Sequence, residues 1–234
     1  MPQKPRANII AEQRTFVMKT SIFTYTSKGM PVLAYEFGNG PGPELLILGG
    51  VHGDEIEGVI CAQELLKHFM KSFDHKFTLT VVPQFNLEGV IYKTRGNGNG
   101  VDLNRNLPTK DWSPEIKTPR YHPGPKAGSE TENHGLMTYL EQKKPKLVLS
   151  LHSWQPVLNV NGDCYEFANV LAKHTGYKID DDIGYPTPGC LGTYAGLERP
   201  CPTLTYEIER GQSAEDIIKI HVPAILDALK VYDK

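Results

Sequence analysis

Hydrophobic positions along the chain repeat in two ways, at every second residue in some segments and at every third or fourth residue in others. Alternation on both sides of a turn at 27–29 predicts a hairpin over residues 20–37. The segment 44–48 has four consecutive apolar residues at 45–48, is followed by two glycines, and is typical of a strand buried on both faces of a parallel sheet. Three further strands are predicted, over residues 77–83, 146–152 and 203–209.

Helical spacing marks four other segments. Residues 57–72 place Ile60 and further apolar side chains on one stripe, which predicts an amphipathic helix. Ser129 and Glu132 have the spacing of a capping box, so a second helix is predicted to begin there and to end at about residue 143. Two more helices are predicted, one at about 163–175 and one that Ser213 caps near the end of the chain.

Strands and helices therefore alternate along the sequence. This order favours an α/β fold, a single domain with a mixed, largely parallel central sheet flanked by helices. The length agrees, because 234 residues with 39% hydrophobic content suffice for one sizeable core. We expect one domain over 1–234, with 1–19 as a possible N-terminal extension. A long irregular stretch at 86–125 is predicted to be a functional loop region, and 176–202 is a second irregular region.

Charge and composition exclude several classes of partner. A formal net charge of −2 gives no broad basic field, so we expect no nucleic acid partner. The chain lacks an apolar run of roughly 18 residues and an evident signal peptide, so we expect no membrane partner and a cytoplasmic location, although a trimmed precursor would look the same. The four cysteines are widely spaced and predicted to be free thiols, with a Cys190–Cys201 disulfide left open. The sequence leaves the oligomeric state undetermined.

His52 and Glu55 are the first candidates for chemistry. They follow the strand at 44–48 and precede the helix at 57–72, and this is the end of a strand at which open α/β sheets bind ligands. An imidazole and a carboxylate three residues apart can converge on one metal ion, and two histidines with one glutamate form a ligand set that leaves a position for water. The same short motif also arises by chance on surface helices. The rest of the sequence therefore has to distinguish a metal site from a pair of surface residues.

Further short phrases lie at strand ends or in the irregular regions, and these are 93–95 (KTR), 101–106 (VDLNRN), 151–153 (LHS) and 205–207 (TYE). Together with GGVHGDE at 49–55, and in this order, they resemble the phrases of the M14 zinc carboxypeptidases. Within that family, the short chain looks most like the murein peptide amidase branch. The resemblance covers roughly residues 40–210 and implies a zinc carboxypeptidase-like catalytic domain.

The resemblance implies one zinc ion per chain, with His52, Glu55 and His152 as its ligands. It also implies that Asp102 accepts the outer imidazole proton of His52 and so fixes the tautomer of that ring. A turn-capping role is the alternative for Asp102.

The catalytic groups that the resemblance implies are Glu207 and Arg95. Glu207 would be the general base, which takes a proton from the attacking water and passes it to the leaving amine. Glu209 lies on the same strand face by alternation and is the competing candidate. Arg95 would face the oxygen of the tetrahedral intermediate, where negative charge develops.

For substrate binding, the resemblance assigns Asn104 and Arg105 to a substrate carboxylate, which a guanidinium can bind through two parallel hydrogen bonds. Tyr185 would be the mobile tyrosine that covers the substrate, with Tyr194 as a competitor. The stretch at 189–193 would contribute to the pocket for the released residue, and its small side chains leave room for a polar group.

The function implied is that of a zinc-dependent metallocarboxypeptidase or amidase. Its substrate would be a small peptide with a free carboxylate, specifically the γ-D-glutamyl to meso-diaminopimelate amide of murein peptides, as in peptidoglycan recycling. The alternatives are an L-amino-acid carboxypeptidase and a deacylase of the succinylglutamate desuccinylase or aspartoacylase type. A non-catalytic binding module is disfavoured, because all three metal-ligand candidates and Glu207 are present.

Overall fold

The computed structural model describes residues 17–116 and 118–234. Eight strands form one sheet, and these are β1 (Met18–Tyr25), β2 (Pro31–Phe37), β3 (Glu44–Gly49), β4 (Thr78–Val82), β5 (Leu147–Trp154), β6 (Val157–Asn161), β7 (Ile179–Asp180) and β8 (Thr203–Glu209). Their order across the sheet is β1-β2-β4-β3-β5-β8-β6-β7. The four central strands β4, β3, β5 and β8 run parallel. The antiparallel pairs are β1 with β2, β2 with β4, and β6 with β8, whereas the short β7 runs parallel to β6.

Helices connect the strands, and these are α1 (Ile56–Lys71), α2 (Leu87–Tyr92), α3 (Thr131–Lys143), α4 (Tyr165–Thr175), α5 (Ala214–Asp216) and α6 (Val222–Leu229). A π-helical turn, Ile217–His221, joins α5 to α6. Single turns occur at Leu103–Arg105 and Pro119–Tyr121, and a second π-helical segment spans Gly192–Leu197. Within the described residues, no helix combines the length and the hydrophobicity that crossing a membrane requires.

Hydrophobic cores cover both faces of the sheet. In β3, Leu45 and Ile47 belong to the core beneath α1, α4 and α6, while Leu46 and Leu48 belong to the core on the α3 face. The prediction of a doubly buried strand is therefore confirmed, and so is the predicted fold class, a single α/β domain with a mixed sheet flanked by helices.

The predicted capping box at α3 is wrong, although the helix itself is present. No side chain caps its first turn. Ser129 Oγ instead accepts a hydrogen bond from Asn106 Nδ2 and donates one to Glu130 Oε1, and Glu132 accepts hydrogen bonds from Asn97 Nδ2. Both residues of the predicted box thus have partners distant in sequence, and these replace the local hydrogen bonds of a capping box. Ser213, in contrast, caps α5 as predicted, since its Oγ accepts from the backbone N–H of Asp216.

The sequence pattern missed three short elements. Helix α2 lies in the stretch interpreted as loop, where Asn86 caps it by accepting from the backbone N–H of Gly89. Strands β6 and β7 are too short to give a period, and β6 carries asparagine at two of its five positions. Of the possible extension at 1–19, residues 1–16 lie outside the described part of the chain, and Met18 and Lys19 belong to β1. All four cysteines are described and are free thiols, so Cys190 and Cys201 do not pair.

Candidate active site

The carboxyl ends of three adjacent parallel strands bring the candidate residues together. His52 follows β3 by three residues, His152 lies near the end of β5, and Glu207 lies in β8 directly opposite His152 in the strand register. Glycine allows α2 to approach the loop after β3, because a Cβ on Gly53 would lie 1.8 Å from the backbone carbon of Gly89. The loop that carries His52 and Glu55 is therefore held against a helix.

His52, Glu55 and His152 form a compact buried group. Nδ1 of His52 lies 2.8 Å from Oε1 of Glu55, and Nδ1 of His152 lies 2.8 Å from Oε2 of the same carboxylate. The two Nδ1 atoms are 3.1 Å apart. Each of the three residues is less than 5% exposed. Three potential ligand atoms, one from each candidate ligand, thus converge.

The outer nitrogen of each imidazole has a partner of its own. Nε2 of His52 lies 3.0 Å from Oδ1 of Asp102, and Nε2 of His152 lies 2.9 Å from Oγ of Ser150. Because a carboxylate only accepts, His52 donates through Nε2–H and its Nδ1 carries the lone pair in the neutral ring. Two imidazole nitrogens and a carboxylate turned toward one another suit Zn²⁺, which binds two histidines and one glutamate in catalytic sites. The residues present therefore fit a zinc site.

Asp102, which is fully buried, and Arg95, which is partly buried, form an ion pair beside this group. Arg95 Nε donates to Oδ2 of Asp102 at 2.8 Å, and its Nη1 donates to Oε1 of Glu55 at 3.1 Å. Burial acts to raise the pKa of the Asp102 carboxyl, but the charges of His52 and Arg95 outweigh it and hold that pKa well below its usual range. Asp102 is therefore ionised near neutral pH and can accept the hydrogen bond from Nε2–H of His52. Asp102 also caps the turn at Leu103–Arg105, so both roles considered for it are present in the geometry.

Glu207 lines the same cavity as His52 and Glu55. Its Oε2 is buried and has no hydrogen-bond partner within the described part of the chain. Burial raises the pKa of the Glu207 carboxyl to about 7, with the charge of His152 opposing this rise and the charge of Glu55 adding to it. Glu209 is exposed and lies outside the cavity lining. The geometry therefore separates two glutamates that the strand period alone did not distinguish.

Asn104 and Arg105 present nitrogen atoms to the cavity. Asn104 Oδ1 accepts from the backbone N–H of Leu191 at 2.8 Å, which orients the amide so that its NH₂ group is the available end. Arg105 is 7% exposed, and its Nη1 donates to the carbonyl of Asn104 at 2.6 Å. The ring of Tyr121 lies near both arginines, with its centroid 5.4 Å from the guanidinium carbon of Arg105 and 5.0 Å from that of Arg95. Tyr121 thus packs against both cations.

The two tyrosine candidates differ in position. Tyr185 is 49% exposed and lines the cavity. Tyr194 is buried in the core on the α3 face, does not line the cavity, and packs under the guanidinium of Arg199. The structure therefore brings Tyr185 to the other candidate residues and leaves Tyr194 apart from them.

The cavity, of about 320 Å³, has a polar wall that the sequence interpretation missed. Asn159 and Asn161 lie on β6 and both line it. The absence of a side chain at Gly192 makes room for Asn161, because a Cβ there would lie 2.0 Å from Asn161 Oδ1. The spacing of two asparagines by two residues is the signal that could have placed both on one strand face.

Ser150 and Arg120 were missed as well. Ser150 lies two residues before His152 on the same strand, and this spacing would have placed it beside the imidazole. Arg120 follows an irregular segment and carried no distinguishing signal in the sequence, yet it lines the cavity.

Residues 8–178 match the sequence profile of the M14 peptidase family, described as zinc carboxypeptidase. The chain belongs to the M14 zinc carboxypeptidase family. It is thus a hydrolytic enzyme of a zinc-dependent family, and the sequence-based assignment is confirmed. The chain is 30% identical to murein peptide amidase A of Vibrio campbellii, over 94% of this chain and 90% of that protein. Murein peptide amidase A of Escherichia coli K12 is 29% identical, over 84% of each chain.

Solved structures agree on the fold. The crystal structure of the murein-tripeptide amidase from Escherichia coli O157 has a TM-score of 0.72 at 23% identity, with 90% of this chain and 91% of that chain covered. Carboxypeptidase A from Helicoverpa armigera has a TM-score of 0.76 at 15% identity, with 92% and 67% covered. At these identities the likeness shows the fold alone.

Proposed function

We propose that this enzyme hydrolyses an amide bond next to a free carboxylate with one zinc ion per chain, and that its substrate is a murein peptide cut between γ-D-glutamate and meso-diaminopimelate. One observation carries the proposal. The converging group of His52, Glu55 and His152 opens into the same cavity as the general base candidate Glu207 and the cationic candidate Arg105. Metal ligands, base and carboxylate binder thus face a single substrate-sized space.

His52 Nδ1, His152 Nδ1 and the Glu55 carboxylate would hold the metal. When bound, zinc supplies Lewis acidity, which lowers the pKa of water and polarises a carbonyl. Asp102 would keep the proton of His52 on Nε2, so that Nδ1 remains a ligand. The hydroxyl of Ser150 would accept from Nε2–H of His152 when Nδ1 of that ring is a ligand.

Glu207 would act as the general base. A carboxyl with a pKa of about 7 can accept a proton from the attacking water near neutral pH and pass it to the nitrogen of the leaving amine. The unpartnered Oε2 leaves one oxygen available for this exchange. Arg95 would stabilise the negative charge that develops on the carbonyl oxygen, since its guanidinium lines the cavity beside Glu55.

Arg105 and Asn104 would bind the carboxylate of the released residue. A buried guanidinium and an amide NH₂ group offer several donors within one cavity, and a carboxylate can accept from both. Tyr185, exposed at the cavity edge, would cover the bound substrate.

The polar wall favours diaminopimelate over an apolar residue. Asn159 and Asn161 offer amide groups, and burying them against an aliphatic or aromatic side chain would leave them without partners. Diaminopimelate ends in an amino and a carboxyl group, both of which an amide can bind. The relatives named murein peptide amidase A support the same substrate. We extend the proposal to peptidoglycan recycling in the cytoplasm, the setting in which such a peptide is a substrate.

The decisive experiment compares three substrate types with zinc-loaded protein. We expect release of diaminopimelate from L-alanyl-γ-D-glutamyl-meso-diaminopimelate, and much slower cleavage of blocked L-dipeptides and of N-succinylglutamate. Chromatography of the released amine measures all three. Faster release of an L-residue would identify an ordinary carboxypeptidase, and faster loss of succinate would identify a deacylase.

A further inference from the structure

A second cavity adjoins the first at two arginines. Arg95 and Arg120 line both cavities, whereas Asn161 and Cys190 line only the first. The remaining lining of the second cavity includes Asp54 and the 93–97 segment. Arg95 and Arg120 therefore lie where one space passes into the other, away from the polar wall formed by β6.

The second cavity has an excess of positive charge. Lys93, Arg95 and Arg120 line it, and Asp54 is its one acidic lining residue among the described ones. Arg95 is already paired with Asp102 and Glu55. The charge balance of the second cavity thus depends on Asp54. The carboxylate of this residue contacts two arginines, Arg120 and Arg210.

Asp54 has a second cation besides Arg120. Arg210 donates to the carbonyl of Asp54 at 2.6 Å, and its Nη2 lies 3.3 Å from Oδ2 of the same residue. Arg120 Nη2 contacts that same Oδ2 at 2.9 Å. If a ligand carboxylate engaged Arg120, Asp54 would keep Arg210 as its partner. The charge of Arg120 is consequently available to a ligand without leaving a carboxylate unpaired.

Arg120 also has donors to offer. Its side chain is 44% exposed, and within the described part of the chain it makes one side-chain hydrogen bond, through Nη2. A guanidinium carries five N–H donors in a planar fork that matches a carboxylate. Donors other than the one given to Asp54 are therefore available to a ligand in the space that the two cavities share.

The direction of the substrate follows from the proposed function, on which this inference rests. The released residue would occupy the space between Arg105 and the β6 asparagines, so the acyl part has to extend from the metal ligands toward the opposite side. Arg95 and Arg120 line that side. We propose that Arg120 binds a second carboxylate, located on the acyl part of the substrate, so that the enzyme selects amides with a free carboxylate on both sides of the bond.

Binding to metal-free protein tests this without cleavage. The probes are two tripeptides that differ in one group, L-alanyl-γ-D-glutamyl-meso-diaminopimelate and its analogue with the glutamyl α-carboxylate converted to a carboxamide. We expect the carboxylate form to bind about tenfold more tightly, as measured by titration calorimetry at low salt. In Arg120→Gln, the two dissociation constants should agree within about twofold, with the affinity for the carboxamide form little changed.

Arg199→Gln is the matched control, because Arg199 is similarly exposed at 38%, also lies near a carboxylate, and does not line either cavity. The Arg199→Gln variant should keep the preference for the carboxylate peptide over the carboxamide peptide. Arg120→Lys, which retains the charge and loses the fork, should keep part of it, so that a folding defect in the glutamine variant would not remove the test. Equal binding of the two peptides to the unsubstituted protein would overturn the inference. So would a preference that persists in Arg120→Gln but disappears in Lys93→Gln.

Zinc-loaded protein separates this inference from the proposed function. Release of diaminopimelate from both peptides at equal efficiency would uphold the amidase and refute the carboxylate site. A binding preference that depends on Arg120, without release of diaminopimelate from either peptide, would uphold the site and refute the amidase.

Discussion

The Nδ1 atoms of His52 and His152 lie 3.1 Å apart at the centre of a buried site. Two like lone pairs at this distance repel unless a proton or a cation lies between them, and the carboxylate of Glu55 adds a third acceptor to the same point. The arrangement is therefore stabilised by a cation, and metal binding should contribute to the stability of the fold.

We expect zinc to raise the melting temperature of chelator-treated protein. At a free concentration 100 times the dissociation constant, zinc would stabilise the fold by about 2.7 kcal/mol. His152→Gln should abolish this rise. His174→Gln is the control, since His174 is an exposed histidine that pairs with Asp227 far from the site. Calorimetric scans with and without zinc make the measurement, and an unchanged rise in His152→Gln would contradict the assignment.

Glu207→Gln should lower kcat by about 10²–10⁴-fold, because an amide cannot accept the proton of the attacking water. Glutamine has nearly the same shape, and Glu207 is not among the proposed ligands, so zinc content should remain at one ion per chain. Steady-state kinetics and metal analysis check the two parts. Glu209→Gln should leave kcat within about twofold of the unsubstituted enzyme, since Glu209 lies outside the cavity. A larger loss of kcat in Glu209→Gln than in Glu207→Gln would identify Glu209, and not Glu207, as the general base.

Arg105→Lys should raise KM about tenfold or more and affect kcat less, because a lysine retains the charge but loses the planar fork. Amidation of the carboxylate on the released residue provides the internal check. The unsubstituted enzyme should discriminate strongly against the amidated substrate, and Arg105→Lys should discriminate less. If the variant and the parent enzyme discriminate equally, Arg105 does not bind that carboxylate.

Sequence alone predicted the residues whose chemistry demands a particular side chain. Few residue types serve as zinc ligands, so a histidine and a glutamate at the spacing of His52 and Glu55, next to a predicted strand, are informative as a pair. The doubly buried strand β3 was predictable for a similar reason, since a continuous apolar run has few other interpretations.

The residues that were missed are those with many possible roles. Ser150 and Asn161 are common polar types, and their importance comes from what they face, an imidazole in one case and a cavity wall in the other. Arg120 carried no signal in the sequence, because its contact with Asp54 spans 66 positions. The capping box at Ser129 failed because its hydroxyl accepts from Asn106, 23 positions away, and donates to Glu130.

His221 provides a pH-dependence prediction away from the metal site. Its imidazole is fully buried, with Nδ1 2.5 Å from the hydroxyl of Tyr206 and Nε2 2.7 Å from Oε1 of Gln212. The glutamine oxygen only accepts, so Nε2 carries the proton and Nδ1 accepts from the tyrosine. Burial lowers the pKa of His221 from 6.5 to about 4. The folded protein therefore holds this ring neutral in a range where the unfolded chain would protonate it.

Between pH 6.5 and 4 the unfolded state binds more protons at His221 than the folded state, so the free energy of unfolding should fall as the pH falls. The contribution is fully present above about pH 7 and decreases by about 3 kcal/mol by pH 4, at 1.36 kcal/mol for each pH unit. Urea unfolding at several pH values measures it. His221→Gln should be less stable at pH 7, yet it should lose less stability than the parent protein between pH 7 and 4. Parallel curves for the two proteins would show that His221 does not titrate as its burial requires.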